Sequence, residues 1–78
     1  MSESKTYLFN LLSNKLSIKA DELTNSADLF DLGLDSFGFI EIVGEIEKKY
    51  NIVFSEDDLM DSNFNTLDGI TLMIENKL

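Results

Sequence analysis

Apolar side chains recur along this chain at helical spacing. Leu8, Leu11, Leu12 and Leu16 lie three and four residues apart and make one stripe, which Phe9 widens. Ser2 or Ser4 can cap the start of that helix. Phe39, Ile42, Val43, Ile46 and Tyr50 repeat the pattern over residues 36–50, with Asp35 as N-cap and Asn51 as stop. At 1.5 Å per residue this second helix is about 22 Å long. Leu67, Ile70, Ile74 and Leu78 share one face of a last helix, with Met73 beside it and Thr66 as cap. Ser55, followed three residues later by Asp58, resembles a capping box. It opens a short helix that runs to about Met60 or Asp61, before Asp61-Ser62-Asn63 breaks it. Residues 17–35 show no clean period and read as a long loop. Ile18, Leu23, Leu29, Phe30 and Leu32 are too apolar for a solvated linker and are expected to pin that loop to the core. No segment alternates apolar and polar residues as a half-buried strand does, and Ile52-Val53-Phe54 is too short to build a sheet. The pattern predicts an all-α domain, a small four-helix bundle of three main helices and one short one, with a long first loop.

Composition narrows the chemistry. A chain of 78 residues is one domain, and 44% hydrophobic residues supply a modest core. Cys, His, Trp and Pro are absent. No Cys means no disulfide and no thiolate metal site, and no His removes the commonest general base and metal ligand. Ser-His-Asp and Cys-His nucleophiles are excluded, and the chain is not expected to be an enzyme. The net charge is −9, and every cation is a lysine. Residues 21–61 hold twelve of the acids against Lys48 and Lys49, whereas residues 1–20 are net basic. Nucleic acid and anionic membrane surfaces repel such a chain, while a basic protein partner is attracted to its middle. No apolar run approaches the ~20 residues of a transmembrane helix, and MSESKTYLFN lacks the order of a signal peptide. A cytoplasmic monomer is expected. The acids do not make a calcium loop. Counted from Asp31, the glycine and terminal glutamate positions of an EF-hand are Ser36 and Ile42; counted from Asp57, the third and sixth positions are Leu59 and Ser62.

One face of the second helix does not fit burial. Ser36, Phe37, Ile40, Glu41 and Gly44 lie off its core stripe at spacings that make them neighbours. Two readings stand: scattered exposed apolar residues, which are common, or a contact patch with an apolar centre and an acidic rim. Ser36 stands in the first turn, where unpaired backbone N–H groups and a partial positive charge favour a phosphate ester. Asp35-Ser36 is equally a way to start a helix. Nothing in the sequence can activate the hydroxyl, so any modification of Ser36 must be made by another protein.

Gly33-Leu34-Asp35-Ser36-Phe37, preceded by Leu29-Phe30-Asp31-Leu32 and followed by a periodic helix, resembles the attachment motif of acyl carrier proteins. The resemblance spans the whole chain in size, acidity, helix order and serine position. It implies that Ser36 carries 4′-phosphopantetheine, installed from coenzyme A by a phosphopantetheinyl transferase, and that Asp35 is the motif acid. It implies an arm whose thiol holds cargo as a thioester, which is why the chain needs neither Cys nor His. It places Phe37, Ile40, Glu41 and Gly44 on the partner-facing side of the helix. Asp31, Glu45, Glu47, Glu56 and Asp57 become candidate acids for basic patches on loading and processing enzymes. Gly38 stands where fatty-acid carriers often have an acid, and Gly44 where they commonly have a larger apolar residue. Asp35-Ser36-Phe37-Gly38 and Phe64-Asn65-Thr66 are similar to D-alanyl carrier proteins. The cargo is therefore open between an acyl group of fatty acid, polyketide or related biosynthesis and an aminoacyl group. A small acidic adaptor without a prosthetic group is the remaining alternative. The 78-residue length suggests one free-standing carrier domain, residues 1–78.

Overall fold

The computed structural model describes residues 2–78, with Ala20 by its backbone alone. Helix α1 spans Glu3–Leu16, α2 Ser36–Tyr50, α3 Glu56–Met60 and α4 Leu67–Lys77. Among the described residues there is no strand, and two 3₁₀ turns, Ala20–Glu22 and Ser62–Asn65, complete the helical set.

Of the two possible caps for α1, Ser2 is the one used: its hydroxyl accepts from Lys5 N–H at 3.2 Å. Ser4 is buried inside the helix and donates to Glu75 Oε2 at 3.0 Å, which ties α1 to α4. Leu8 and Leu12 are fully buried, while Phe9, Leu11 and Leu16 pack at the edge of the core. Ile42, Val43 and Ile46 of α2 and Leu67, Ile70 and Ile74 of α4 meet them. Leu78 is 70% exposed, against its expected place on the buried face of α4. It lies past Lys77, the last helical residue of α4, and so does not share the buried face.

The long loop is fastened to the entrance of α4. Leu29 N–H donates to Asn65 C=O at 2.8 Å, and Asp68 N–H to Asn25 C=O at 3.1 Å. Leu23 and Leu29 are buried and Ile18 and Leu32 half-buried, as pinning residues should be. Phe30 is not: it is 41% exposed, with its ring centroid 5.6 Å from that of Phe39. Leu29 to Gly33 make a helical turn, and one step along such a turn rotates the side chain by about 100°. With Leu29 facing in, Phe30 must face out.

The aromatic centre was not legible from periodicity. Phe64, in the second 3₁₀ turn, is fully buried and meets Phe54 and Phe39 edge-on, with ring centroids 4.9 and 5.6 Å apart. Beside it, Gly69 lies so close to Asn63 C=O that a Cβ there would overlap the carbonyl backbone. The break expected at residues 61–63 is thus a tight turn against which α4 starts. The short α3 has no fully buried side chain, and only Leu59 packs against the edge of the core. Its capping box holds it locally, Ser55 Oγ accepting from Asp58 N–H at 3.1 Å and Asp58 Oδ2 from Ser55 N–H at 2.9 Å.

Candidate functional site

The approach to Ser36 is built by a turn that ends as helices do. Leu34 N–H donates to Leu29 C=O and Gly33 N–H to Phe30 C=O, both at 3.1 Å. That pair of bonds is a Schellman motif, and Gly33 takes the left-handed position at φ 109° that a side chain would resist. Leu29 and Leu34, both buried, supply the apolar contact that accompanies the motif. The chain therefore leaves the core at Leu34 in one defined direction. Asp35 then caps α2, its Oδ1 accepting from Gly38 N–H at 2.7 Å.

Ser36 is the first residue of α2 and is exposed. Among the described residues its hydroxyl has no hydrogen-bond partner, and the N–H groups of Ser36 and Phe37 have no acceptor. Open N–H groups at a helix start suit a phosphodiester, and the fifteen-residue helix behind them adds its dipole. A groove of about 260 Å³, lined among others by Gly33, Asp35, Phe37 and Gly38, adjoins this end. The arrangement has room for a substituent on Oγ but no base to activate it. Asp35, the nearest acid in sequence, is committed to Gly38 N–H.

Gly38 is buried. A Cβ on it would come within 2.9 Å of Leu34 Cδ1 and 3.1 Å of Asp35 Oδ1. A side chain at this position would make the ends of the Leu34 and Asp35 side chains shift.

The other candidate residues separate into groups. Phe37 and Ile40 are 81% and 67% exposed, and with Glu41 and Gly44 they form the outward face of α2. Glu41 pairs with Lys15 of α1 at 2.9 Å, a partner that sequence spacing could not reveal. Glu45 is exposed toward α1, and its charge, after burial, helps raise the Tyr7 phenol above its usual range. Asp31 is exposed on the turn before Ser36, and Glu56 and Asp57 are exposed on α3. Glu47 is placed differently. It is half-buried, its Oε2 accepts from Phe54 N–H at 2.9 Å, and its carbonyl accepts from Ile52 N–H at 3.2 Å. It organises the α2–α3 connection, and only its second carboxylate oxygen is left for a partner.

The fold and this end of α2 define a carrier domain, and comparison with known proteins agrees. Residues 6–74 match the family model described as "Phosphopantetheine attachment site". An acyl carrier protein of Phytoplasma australiense is 36% identical over 69 residues, which is 87% of this chain and 88% of that protein. One from Cylindrotheca sp. (strain N1) is 33% identical over 79 residues, covering 100% of this chain and 96% of that protein. A non-reducing polyketide synthase, pkdA of Emericella nidulans, is 41% identical over 51 residues, 65% of this chain but 2% of the synthase. The chain belongs to the acyl carrier protein family. Members are carriers and not enzymes, so the missing catalytic groups are no defect. No helix among the described residues is long and apolar enough to cross a membrane.

Proposed function

We propose that Ser36 Oγ is the atom that carries 4′-phosphopantetheine, and that residues 1–78 act as one carrier domain presenting acyl intermediates to biosynthetic enzymes. The observation that carries this reading is an exposed, unengaged serine hydroxyl at the start of α2, with two open N–H groups beside it. On a transferase, Ser36 Oγ attacks the pantetheine-side phosphorus of coenzyme A's pyrophosphate, the pyrophosphate P–O bond breaks with adenosine 3′,5′-bisphosphate as the leaving group, and the Oγ proton goes to a base on that enzyme. The attached group supplies a thiol that holds cargo as a thioester. The chain's own residues do three things. Asp35 and the Gly33 turn fix where Ser36 leaves the domain. The first N–H groups of α2 face the phosphodiester. Phe37 and Ile40, with Glu41, Glu45, Asp31, Glu56 and Asp57 around them, offer loading and processing enzymes an apolar centre with an acidic rim. Steering by that charge suits brief encounters with basic docking patches.

Relatives named acyl carrier proteins and polyketide synthases support acyl over aminoacyl cargo. We place the domain in the cytoplasm, where coenzyme A is available to it.

Incubation of the apo-protein with coenzyme A and a broad-specificity phosphopantetheinyl transferase tests the assignment. Intact mass is expected to rise by one phosphopantetheinyl group in the wild type and not at all in Ser36→Ala. No gain in the wild type, or the same gain in Ser36→Ala, overturns it.

A further inference from the structure

Lys15 stands in the last turn of α1, and its stem crosses the first turns of α2 at Gly38. Its Cε lies 3.9 Å from where a Cβ on that glycine would be. Its ammonium reaches Glu41 Oε1 at 2.9 Å. Helical side chains lean toward the N-terminus, so Glu41 draws that ammonium toward the start of α2 and not away from it. The side chain thus runs along the 260 Å³ groove that adjoins Ser36, and among the described residues lining that groove Lys15 is the one cation. The lining joins it to the helix start: Asp35 precedes Ser36, and Phe37 and Gly38 follow it. At 1.5 Å of rise per residue, Gly38 is only about 3 Å along the axis from Ser36.

The start of α2 is short of positive charge. Asp31, Asp35 and Glu41 are all exposed around it, and a phosphodiester on Ser36 Oγ would add one more negative charge. The open N–H groups of Ser36 and Phe37 offset part of this. Lys5 and Lys77 pair with Asp68 and Asp58, and Lys48 and Lys49 lie near the other end of α2, about 18 Å along the axis from Ser36. The bond of Lys15 to Glu41 does not commit it. The two side chains are 34% and 62% exposed, and such pairs are worth only ~0–1 kcal/mol. An ammonium also has three donors, enough to hold Glu41 and a phosphate oxygen together. Gly38 bears on the same point, because a carboxylate side chain there would rise beside the Lys15 stem and compete for its charge. Two backbone N–H groups and one ammonium suit the two free oxygens of a phosphodiester, so the donors present fit the group.

We propose that Lys15 is a positioning residue for the phosphopantetheine arm. Its ammonium meets the phosphodiester on Ser36 and turns the first part of the arm toward the α1 side of α2, into this groove. The proposal rests on the carrier reading of Ser36. Its consequence is a resting direction for the arm, set by the chain itself before any enzyme binds.

NMR of the apo- and holo-protein tests this, with attachment checked by intact mass. Attachment is expected to shift the Cε methylene signal of Lys15 and to leave those of Lys5, Lys48, Lys49 and Lys77 in place. Glu41→Gln, which removes the competing carboxylate, is expected to enlarge the Lys15 shift. Phosphorus relaxation reads the arm directly. The phosphodiester is expected to move with the protein in the wild type, to gain fast local motion in Lys15→Gln and to lose it again in Lys15→Arg. If Lys15 serves only to pair with Glu41, Lys15→Gln lowers the melting temperature of the apo-protein and leaves phosphorus relaxation unchanged, which overturns the proposal. A Lys15 signal that stays in place on attachment overturns it too, and leaves the carrier reading intact. Wild-type chain that gains no phosphopantetheinyl mass removes the carrier reading and the role of Lys15 with it.

Discussion

Asp35 carries two duties that substitution can separate. Its carboxylate caps α2 through Gly38 N–H, and the proposed attachment site at Ser36 would make it the motif acid. Asparagine caps about as well as aspartate, whereas alanine costs about 1 kcal/mol. Urea denaturation of the apo-protein is therefore expected to show Asp35→Asn near wild type and Asp35→Ala lower by about that amount. Equal loss in both variants would mean that the charge, not the cap, holds the helix start. Glycine gives a sharper contrast at the same scale. Gly69→Ala gains helix propensity but drives a Cβ into the Asn63 carbonyl, and overpacking against backbone costs roughly 1–3 kcal/mol. Chemical denaturation is expected to rank Gly69→Ala below wild type and Gly44→Ala, where a Cβ meets nothing within 4 Å, above it, opposite signs from one substitution in two helices. A Gly69→Ala variant as stable as wild type would mean that α4 can shift away from the 3₁₀ turn at little cost.

Among elements, α3 is the least buried: Leu59 packs at the edge of the core, and hydrogen bonds and charge hold the rest. Asp58 holds it from both ends of the fold. Its carboxylate accepts from Ser55 N–H at 2.9 Å and pairs with Lys77 of α4 at 2.8 Å, while the same ammonium lies 5.8 Å from the centre of the Phe54 ring. The Lys77 hydrogen bond first, and the Ser55 backbone bond next, hold the Asp58 carboxyl below its ordinary value near 3.8. A carboxyl with a lowered folded value stabilises the fold above its unfolded value and loses that contribution as pH falls through the folded one. The difference in stability between wild type and Asp58→Asn is expected to be full at neutral pH and to close only below pH 3.8, as monitored by denaturant midpoints. A gap that stays constant to the lowest accessible pH would sink the assignment. The three longer helices were legible because each repeats an apolar stripe over more than two turns and carries a polar cap at its start. Phe64, Phe30 and Glu47 were not. Phe64 sits in a turn too short to show a period. The outward direction of Phe30 follows from a Schellman turn, which needs the backbone bonds to be seen. Glu47 looks like any acid on an exposed helix until Phe54 N–H, seven residues on, folds back onto it. Of the site, the start of α2 and the exposure of Phe37 and Ile40 could be read from spacing alone, while Lys15 and the groove could not, because they depend on how α1 crosses α2.

For the whole molecule the question is whether its acidity is a burden on the fold. Among the described residues three ion pairs, Lys5–Asp68, Lys15–Glu41 and Lys77–Asp58, favour it, and all are partly exposed. Salt would weaken them by at most ~1 kcal/mol each, and by much less where the side chains are most exposed. Against them stand the ten other carboxylates within residues 21–61, in a body only 28 × 26 × 19 Å across. Unit charges about 10 Å apart in water repel by roughly 0.4 kcal/mol, and that many carboxylates form dozens of such pairs. The unfolded chain spreads the same charges over a larger volume, so screening favours the folded state. At 0.1 M salt the Debye length is about 10 Å, short enough to quiet most of these interactions. Thermal melts of the apo-protein are accordingly expected to shift upward as monovalent salt is added and to level off once the screening length falls below the charge spacing. Divalent cations should reach the same plateau at lower concentration. A midpoint that falls with salt would mean that the three ion pairs outweigh the repulsion. The acidity would then be an asset to the fold as well as to docking, and the reason for concentrating it around α2 and α3 would have to be sought inside the molecule.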